Sequence, residues 1–123
     1  YPDGAKIFAA LSQLPEKTLE FREDGAVKYM FQGLWRGKKF ENVGQMVKVK
    51  LPFRDELTEE PLVNHEYFAG VMKRAGFALI DSGLFSKRLN AFAQQNVSMA
   101  QGLTADDKTY VGDFFRYAIF RRE

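Results

Sequence analysis

The chain has 123 residues, 46% of them apolar and 28% charged, and 18 Lys and Arg against 16 Asp and Glu leave a formal charge of only +2. Without Cys it has no disulfides, thiolate metal sites or cysteine nucleophiles, and its single His excludes a multi-histidine zinc site. No apolar run approaches the roughly 20 residues of a membrane span, while 12 Phe, 5 Tyr and 1 Trp supply core material that argues against disorder.

The predicted elements alternate between helix and strand. Tyr1-Pro2-Asp3-Gly4 is a turn sequence, with Tyr1 either the end of a strand or a short unstructured terminus. Asp3 can cap a helix over 5–14 that aligns Ile7, Phe8, Leu11 and Leu14, and Pro15 stops it. A strand is expected over 17–22 with Leu19 and Phe21 inward. Asp24-Gly25 then makes a hairpin turn into a partner strand over 26–31. Residues 33–39, with the basic run Arg36-Gly37-Lys38-Lys39, read as a loop. Residues 45–51 alternate as a strand, with Met46, Val47, Val49 and Leu51 set against Lys48 and Lys50 until Pro52 ends it. An acidic, irregular connection follows over 54–61.

The second half continues the pattern. Asn64 can cap a helix over 65–74 whose apolar face carries Tyr67, Phe68, Val71 and Met72, with Gly76 closing it. A strand over 77–81, a helix over 84–94 and a polar loop over 95–102 come next. Thr104 and Asp107 have the spacing of a capping box. A last strand is expected over 114–120.

Chemical motifs are few. There is no G-x-G, hence no dinucleotide fingerprint, and no P-loop. His65 reads as a surface residue at a helix start, since nothing in the spacing supports a Ser-His-Asp triad. The acidic residues Asp55, Glu56, Glu59 and Glu60 read as a solvated loop, with metal binding as the weaker alternative. Trp35, Lys38, Lys39 and Phe40 could contact a base and a phosphate backbone, or form a solvated hairpin loop.

The stretch Glu60-Pro61-Leu62-Val63-Asn64-His65-Glu66-Tyr67-Phe68 resembles a segment of the mRNA cap guanine-N7 methyltransferases, in which an acidic residue follows a short apolar stretch at a helix start. The opening Pro2-Asp3-Gly4-Ala5-Lys6-Ile7 is similar to the helix after that family's "Gly-Thr" strand end, and Leu103-Thr104 through Phe120-Arg121-Arg122 to its last helix and strand. The ordered set covers essentially all of residues 1–123, and its acidic helix start resembles forms found in large DNA viruses.

The resemblance implies an α/β fold: the C-terminal half of a Rossmann-like class I methyltransferase, a mixed sheet with flanking helices, in which residues 1–123 are one incomplete domain. It implies transfer of a methyl group from S-adenosylmethionine to the cap guanine. It places the glycine-rich donor loop upstream, so that these residues alone neither bind S-adenosylmethionine nor methylate RNA. No catalytic acid or base is implied, because guanine N7 carries a free lone pair, and no metal. The resemblance assigns the guanine edge to Glu66. It sets an aromatic of the last strand, Phe115 or Phe114, against the cap where the family usually has Tyr; a core role for either ring is the alternative. Implied partners are the capped mRNA 5′ end and the rest of the methyltransferase domain or another capping-enzyme chain, with no membrane. The implied setting is intracellular, cytoplasmic if viral and otherwise nuclear. Half a Rossmann sheet should leave an apolar edge or face uncovered, and with it a tendency to self-associate. Two other functions fit the residues: a non-catalytic accessory subunit of degenerate methyltransferase fold that stabilises a capping partner, and a small RNA-binding module built on Trp35, Lys38 and Lys39.

Overall fold

The computed structural model describes residues 1–51 and 56–123, without the side chains of Met99 and Ala100. Pro52, Arg54 and Asp55, to which the sequence assigns a strand end and an acidic connection, lie outside the described residues. The chain divides into two compact units, one of Pro2–Asn64 and one of His65–Glu123 together with Tyr1.

The first unit is an antiparallel meander under one helix. Helix α1 (Gly4–Leu11) starts where expected: the Asp3 carboxylate accepts the Lys6 N–H at 3.0 Å. It ends one turn before Pro15, short of the predicted residue 14. Strands β1 (Thr18–Glu23) and β2 (Ala26–Gly33) meet through Asp24-Gly25, both at positive φ (53° and 81°), the two-residue turn that matches strand twist. Phe21 lies opposite Tyr29 and Arg22 opposite Val27, which leaves Lys28 as a bulge. Strand β3 (Met46–Lys50) pairs with β2, and β4 (Leu57–Pro61) pairs with β3, giving the order β1-β2-β3-β4.

One face of this sheet is apolar. Tyr29, Phe31, Val47 and Val49 are buried on it, and so are Ile7 and Leu11 of α1. Burial of each such side chain stabilises the unit by roughly 1.5–3 kcal/mol. Strict alternation puts Met46 on the outer face with Lys48 and Lys50, and Leu51 is exposed, so only the two valines of that strand point inward. Strand β4 replaces the irregular connection expected over 54–61 from Leu57 to Pro61. Its charged residues hid it, and its ladder with β3 (Lys48 opposite Glu59, Val49 opposite Thr58) supplies the pairing that its composition does not advertise.

Three aromatic rings close the open end of the meander. Trp35, only 6% exposed, stacks on Phe8 at 5.1 Å, and Phe40 packs on the same ring at 5.5 Å. Two glycines make room for them. A Cβ on Gly33 would lie 2.7 Å from the Trp35 ring, and one on Gly4 would lie 2.9 Å from Phe40 and 2.6 Å from the Val63 carbonyl oxygen. Gly4 N–H donates to that oxygen at 2.9 Å, beside a parallel bridge of Asp3 with Val63. The buried indole is incompatible with the exposed base-stacking role considered for Trp35.

In the second unit, α2 spans His65–Arg74, the bounds expected from sequence. Its apolar face is only half-covered: Phe68 packs edge-to-face on Phe120 at 5.5 Å, but Tyr67 and Val71 are exposed. Strand β5 (Phe77–Leu84) runs longer than predicted, with a register shift at Ile80. It leads into α3 (Phe85–Gln95), the short α4 (Val97–Ala100) within the expected polar loop, and α5 (Ala105–Lys108). The Thr104–Asp107 capping box is formed, with both reciprocal bonds at 3.0 Å. A π-turn over Thr109–Asp113 follows, and then strand β6 (Arg116–Arg122), antiparallel to β5. The last strand thus starts two residues later than predicted. Its other edge meets Tyr1, whose N–H donates to Arg116 O at 3.0 Å while Arg116 N–H donates to Tyr1 O at 2.8 Å. That exchange is the pattern of an antiparallel pair, so Tyr1 behaves as strand rather than as unstructured terminus.

The architecture is α/β. In place of one mixed sheet it has two antiparallel ones, and the parallel pairing among the described residues is the isolated Asp3–Val63 bridge. Leu79, Ile80 and Ile119 are exposed on the two-stranded sheet. Among the described residues no helix is long and apolar enough to cross a membrane.

The glycine contacts predict a contrast. Gly33→Ala should lower stability by about 1–3 kcal/mol, because the indole must shift off the strand. Gly37→Ala, where a Cβ meets nothing within 4 Å, should stay within roughly 0.5 kcal/mol of the parent in a urea melt.

Candidate functional site

Glu66 lies in the first turn of α2. The preceding His65 holds that turn in place: its Nδ1 is 2.6 Å from the Tyr1 hydroxyl, and the two rings stack at 6.4 Å. Tyr1 also packs edge-to-face on Phe68 at 5.6 Å. The backbone of Glu66 is therefore fixed, while its carboxylate is exposed and has no hydrogen bond or ion pair among the described residues. The helix macrodipole favours a carboxylate there by roughly 0.3–1 kcal/mol.

Phe114 and Phe115 precede β6 instead of lying within it. Phe114 ends the π-turn and is half-buried. The Phe115 ring packs on Tyr110 at 5.4 Å, and its carbonyl accepts the Phe85 N–H at 2.9 Å. Tyr110 is among the most buried side chains of the chain, so Phe115 leans on a core residue.

Of the acidic run, Glu59 and Glu60 do not converge. Glu59 and Glu60 are neighbours on a strand, so their side chains leave opposite faces. Glu59 is exposed opposite Lys48. Glu60 stands opposite the fully buried Val47, on the apolar face of the sheet, and is half-buried. The sequence reading sets Glu60 in a solvated acidic loop because β4 itself is not recognised there. The available signal was the period-two placement of Thr58 and Glu60 against Leu57, Glu59 and Pro61.

A cleft of about 240 Å³ opens between α3 and the π-turn, lined by Ser86, Leu89, Asn90, Lys108, Thr109 and Asp113 among others. It includes neither Glu66 nor Phe114 nor Phe115. At its edge Gly112 approaches α3 so closely that a Cβ would lie 3.2 Å from the Ser86 Cα. On another part of this unit Asp81 gathers three partners: Arg88 Nη2 at 2.8 Å, the Tyr117 hydroxyl at 3.3 Å and Lys87 Nζ at 3.4 Å. The Arg88 guanidinium also lies over the Tyr117 ring at 4.7 Å.

No protein-family model matches the chain. Two mRNA-capping enzymes of African swine fever virus, from a South African tick isolate and a Namibian warthog isolate, are each 30% identical to it over 96 residues. The aligned region is 77% of this chain and 11% of theirs. Over that span the chain is similar to a viral mRNA-capping enzyme. This supports a relation to mRNA-capping enzymes, and the chain spans only a small part of the length of the relatives it matches.

The Asp81 group gives a pH prediction. Partial burial pushes its carboxyl up, but the hydrogen bonds and charges of Lys87, Tyr117 and Arg88 outweigh this and hold it below the usual aspartate range. The folded-state value is then lower than the unfolded one. The cluster's contribution to stability is present above the unfolded pKa and is lost as pH falls through the folded value. In an NMR titration, Lys87→Met with Arg88→Met should move Asp81 upward, and an unmoved titration would show that these cations do not act on it.

Proposed function

We propose that this chain is part of an mRNA guanine-N7 methyltransferase that transfers a methyl group from S-adenosylmethionine to the 5′ cap guanine. The observation that carries the reading is the 96-residue similarity to a viral mRNA-capping enzyme. It is joined to the ordered resemblance of three sequence blocks to the cap methyltransferases. The pairing of β6 with β5 on one side and Tyr1 on the other, with α2 and α3 alongside, agrees with a Rossmann-like sheet of which these residues form the C-terminal half. No glycine-rich turn of the G-x-G kind occurs here, so residues of this chain do not fit a cradle for the methyl donor. Its part in the reaction is on the acceptor side.

That part needs little acid–base chemistry. Guanine N7 has a free lone pair, and methylation leaves a cationic purine. A fixed carboxylate on the Watson–Crick edge accepts hydrogen bonds from N1–H and the exocyclic amine, and it opposes the developing charge. Guanine alone presents these two donors side by side, and a bidentate contact discriminates by about 1–3 kcal/mol. Glu66 takes that role in this reading, with Phe115 or Phe114 against the cap. A second carboxylate competes for it: Glu60 is fixed by a strand ladder and turned to the apolar face, where a charge is unusual unless it serves something.

The test uses the full-length protein with a capped dinucleotide. Glu66→Ala and Glu66→Gln should each lower kcat/KM roughly 10- to 100-fold with little change in Tm. The amide fails because it presents one acceptor oxygen and sets an NH₂ against the guanine donors. Loss of turnover in Glu60→Ala alone would move the guanine contact to β4. Normal turnover in both series would remove the carboxylate contact from this chain.

A further inference from the structure

We propose that the loop bearing Arg36, Lys38 and Lys39 grips the phosphates of the RNA chain that follows the cap. The three cations occupy four consecutive positions with Gly37, and all are exposed. None of the three side chains has a hydrogen bond or ion pair among the described residues. Two cations of the neighbouring hairpin are matched instead: exposed Arg22 pairs with Glu20 at 2.9 Å and half-buried Lys28 with Glu23 at 3.2 Å.

The loop is held rather than loose. Trp35 at its start and Phe40 at its end both pack on Phe8 of α1, each against a glycine surface. Gln45, 8% exposed, braces it from inside: its Nε2 donates to Lys39 O at 2.9 Å, and its Oε1 accepts the Glu41 N–H at 2.9 Å. Leu34 N–H reaches Met46 O at 3.0 Å. Buried anchors on either side of an unpaired cationic tip fix the charges before a ligand arrives, which removes part of the ordering cost of binding.

The chemistry of the tip selects the ligand. Residues 36–39 carry no apolar side chain, the exposed Leu34 and Val43 stand apart in sequence on either side, and the Trp35 ring is buried on Phe8, which removes it as a platform for a base. What remains is contact with backbone phosphates, which positions a strand without reading its sequence. That the strand is RNA rests on the methyltransferase reading above.

The experiment measures binding of an uncapped single-stranded RNA to the full-length protein across a salt series. Arg36→Ala/Lys38→Ala/Lys39→Ala should weaken binding roughly 30-fold near 0.2 M salt and flatten the log–log salt slope by about 2, as expected for three lost phosphate contacts. Arg36→Lys/Lys38→Arg/Lys39→Arg should bind like the parent. A charge-matched Lys73→Ala/Arg74→Ala/Arg121→Ala variant should do so as well. An unchanged slope in the loop variant, or an equal loss in the charge-matched variant, would overturn the proposal. The side chains are exposed, so Tm should not move. Methylation of a capped dinucleotide, which has no RNA chain to grip, should be unaffected. If the protein proves not to methylate caps at all, the binding measurement still decides the role of the loop.

Discussion

The stack of Trp35 and Phe40 on Phe8 is the contact on which the Pro2–Asn64 unit turns. A four-stranded meander has one apolar face and two exposed edges, and a single eight-residue helix is a narrow cover for it. The stack extends that cover beyond Ile7 and Leu11. It also fixes the long return from β2 to β3, and it demands glycine at positions 4 and 33, where any side chain would enter the rings or the Val63 carbonyl. The ordered basic loop and the inward face that carries Glu60 both depend on this closure.

Much of the local structure was legible because its signals are short-range. The Asp24-Gly25 turn, the Asp3 cap, the Thr104–Asp107 box and the His65–Arg74 helix each follow from a few neighbouring residues, and each is present. What escaped depends on partners distant in sequence. Strand β4 has a charged composition and exists through its pairing with β3. Trp35, beside two lysines, reads locally as a nucleic-acid aromatic, and only the position of Phe8 reveals it as core. Phe114 and Phe115 were assigned to the last strand because a π-turn leaves no periodic trace before β6. The face of Glu60 could not be read before the strand itself was known.

The two units bring different chemistry to the proposed acceptor role. The His65–Glu123 unit, with Tyr1, offers a helix start whose backbone is immobilised by the Tyr1–His65–Phe68 contacts and whose carboxylate is left outward. The Pro2–Asn64 unit offers a carboxylate on a rigid ladder and a braced cationic loop. Guanine-N7 methylation suits such a set of parts, since it needs a positioned acceptor and a favourable field more than it needs a proton shuttle.

Photo-cross-linking tests this account most directly. RNA carrying a 6-thioguanosine cap would be bound to the full-length protein, irradiated and mapped by mass spectrometry. The account predicts cap adducts on peptides that contain Glu60, Glu66 or the Phe114–Phe115 pair. Efficient cap cross-linking with every adduct outside residues 1–123 would contradict it.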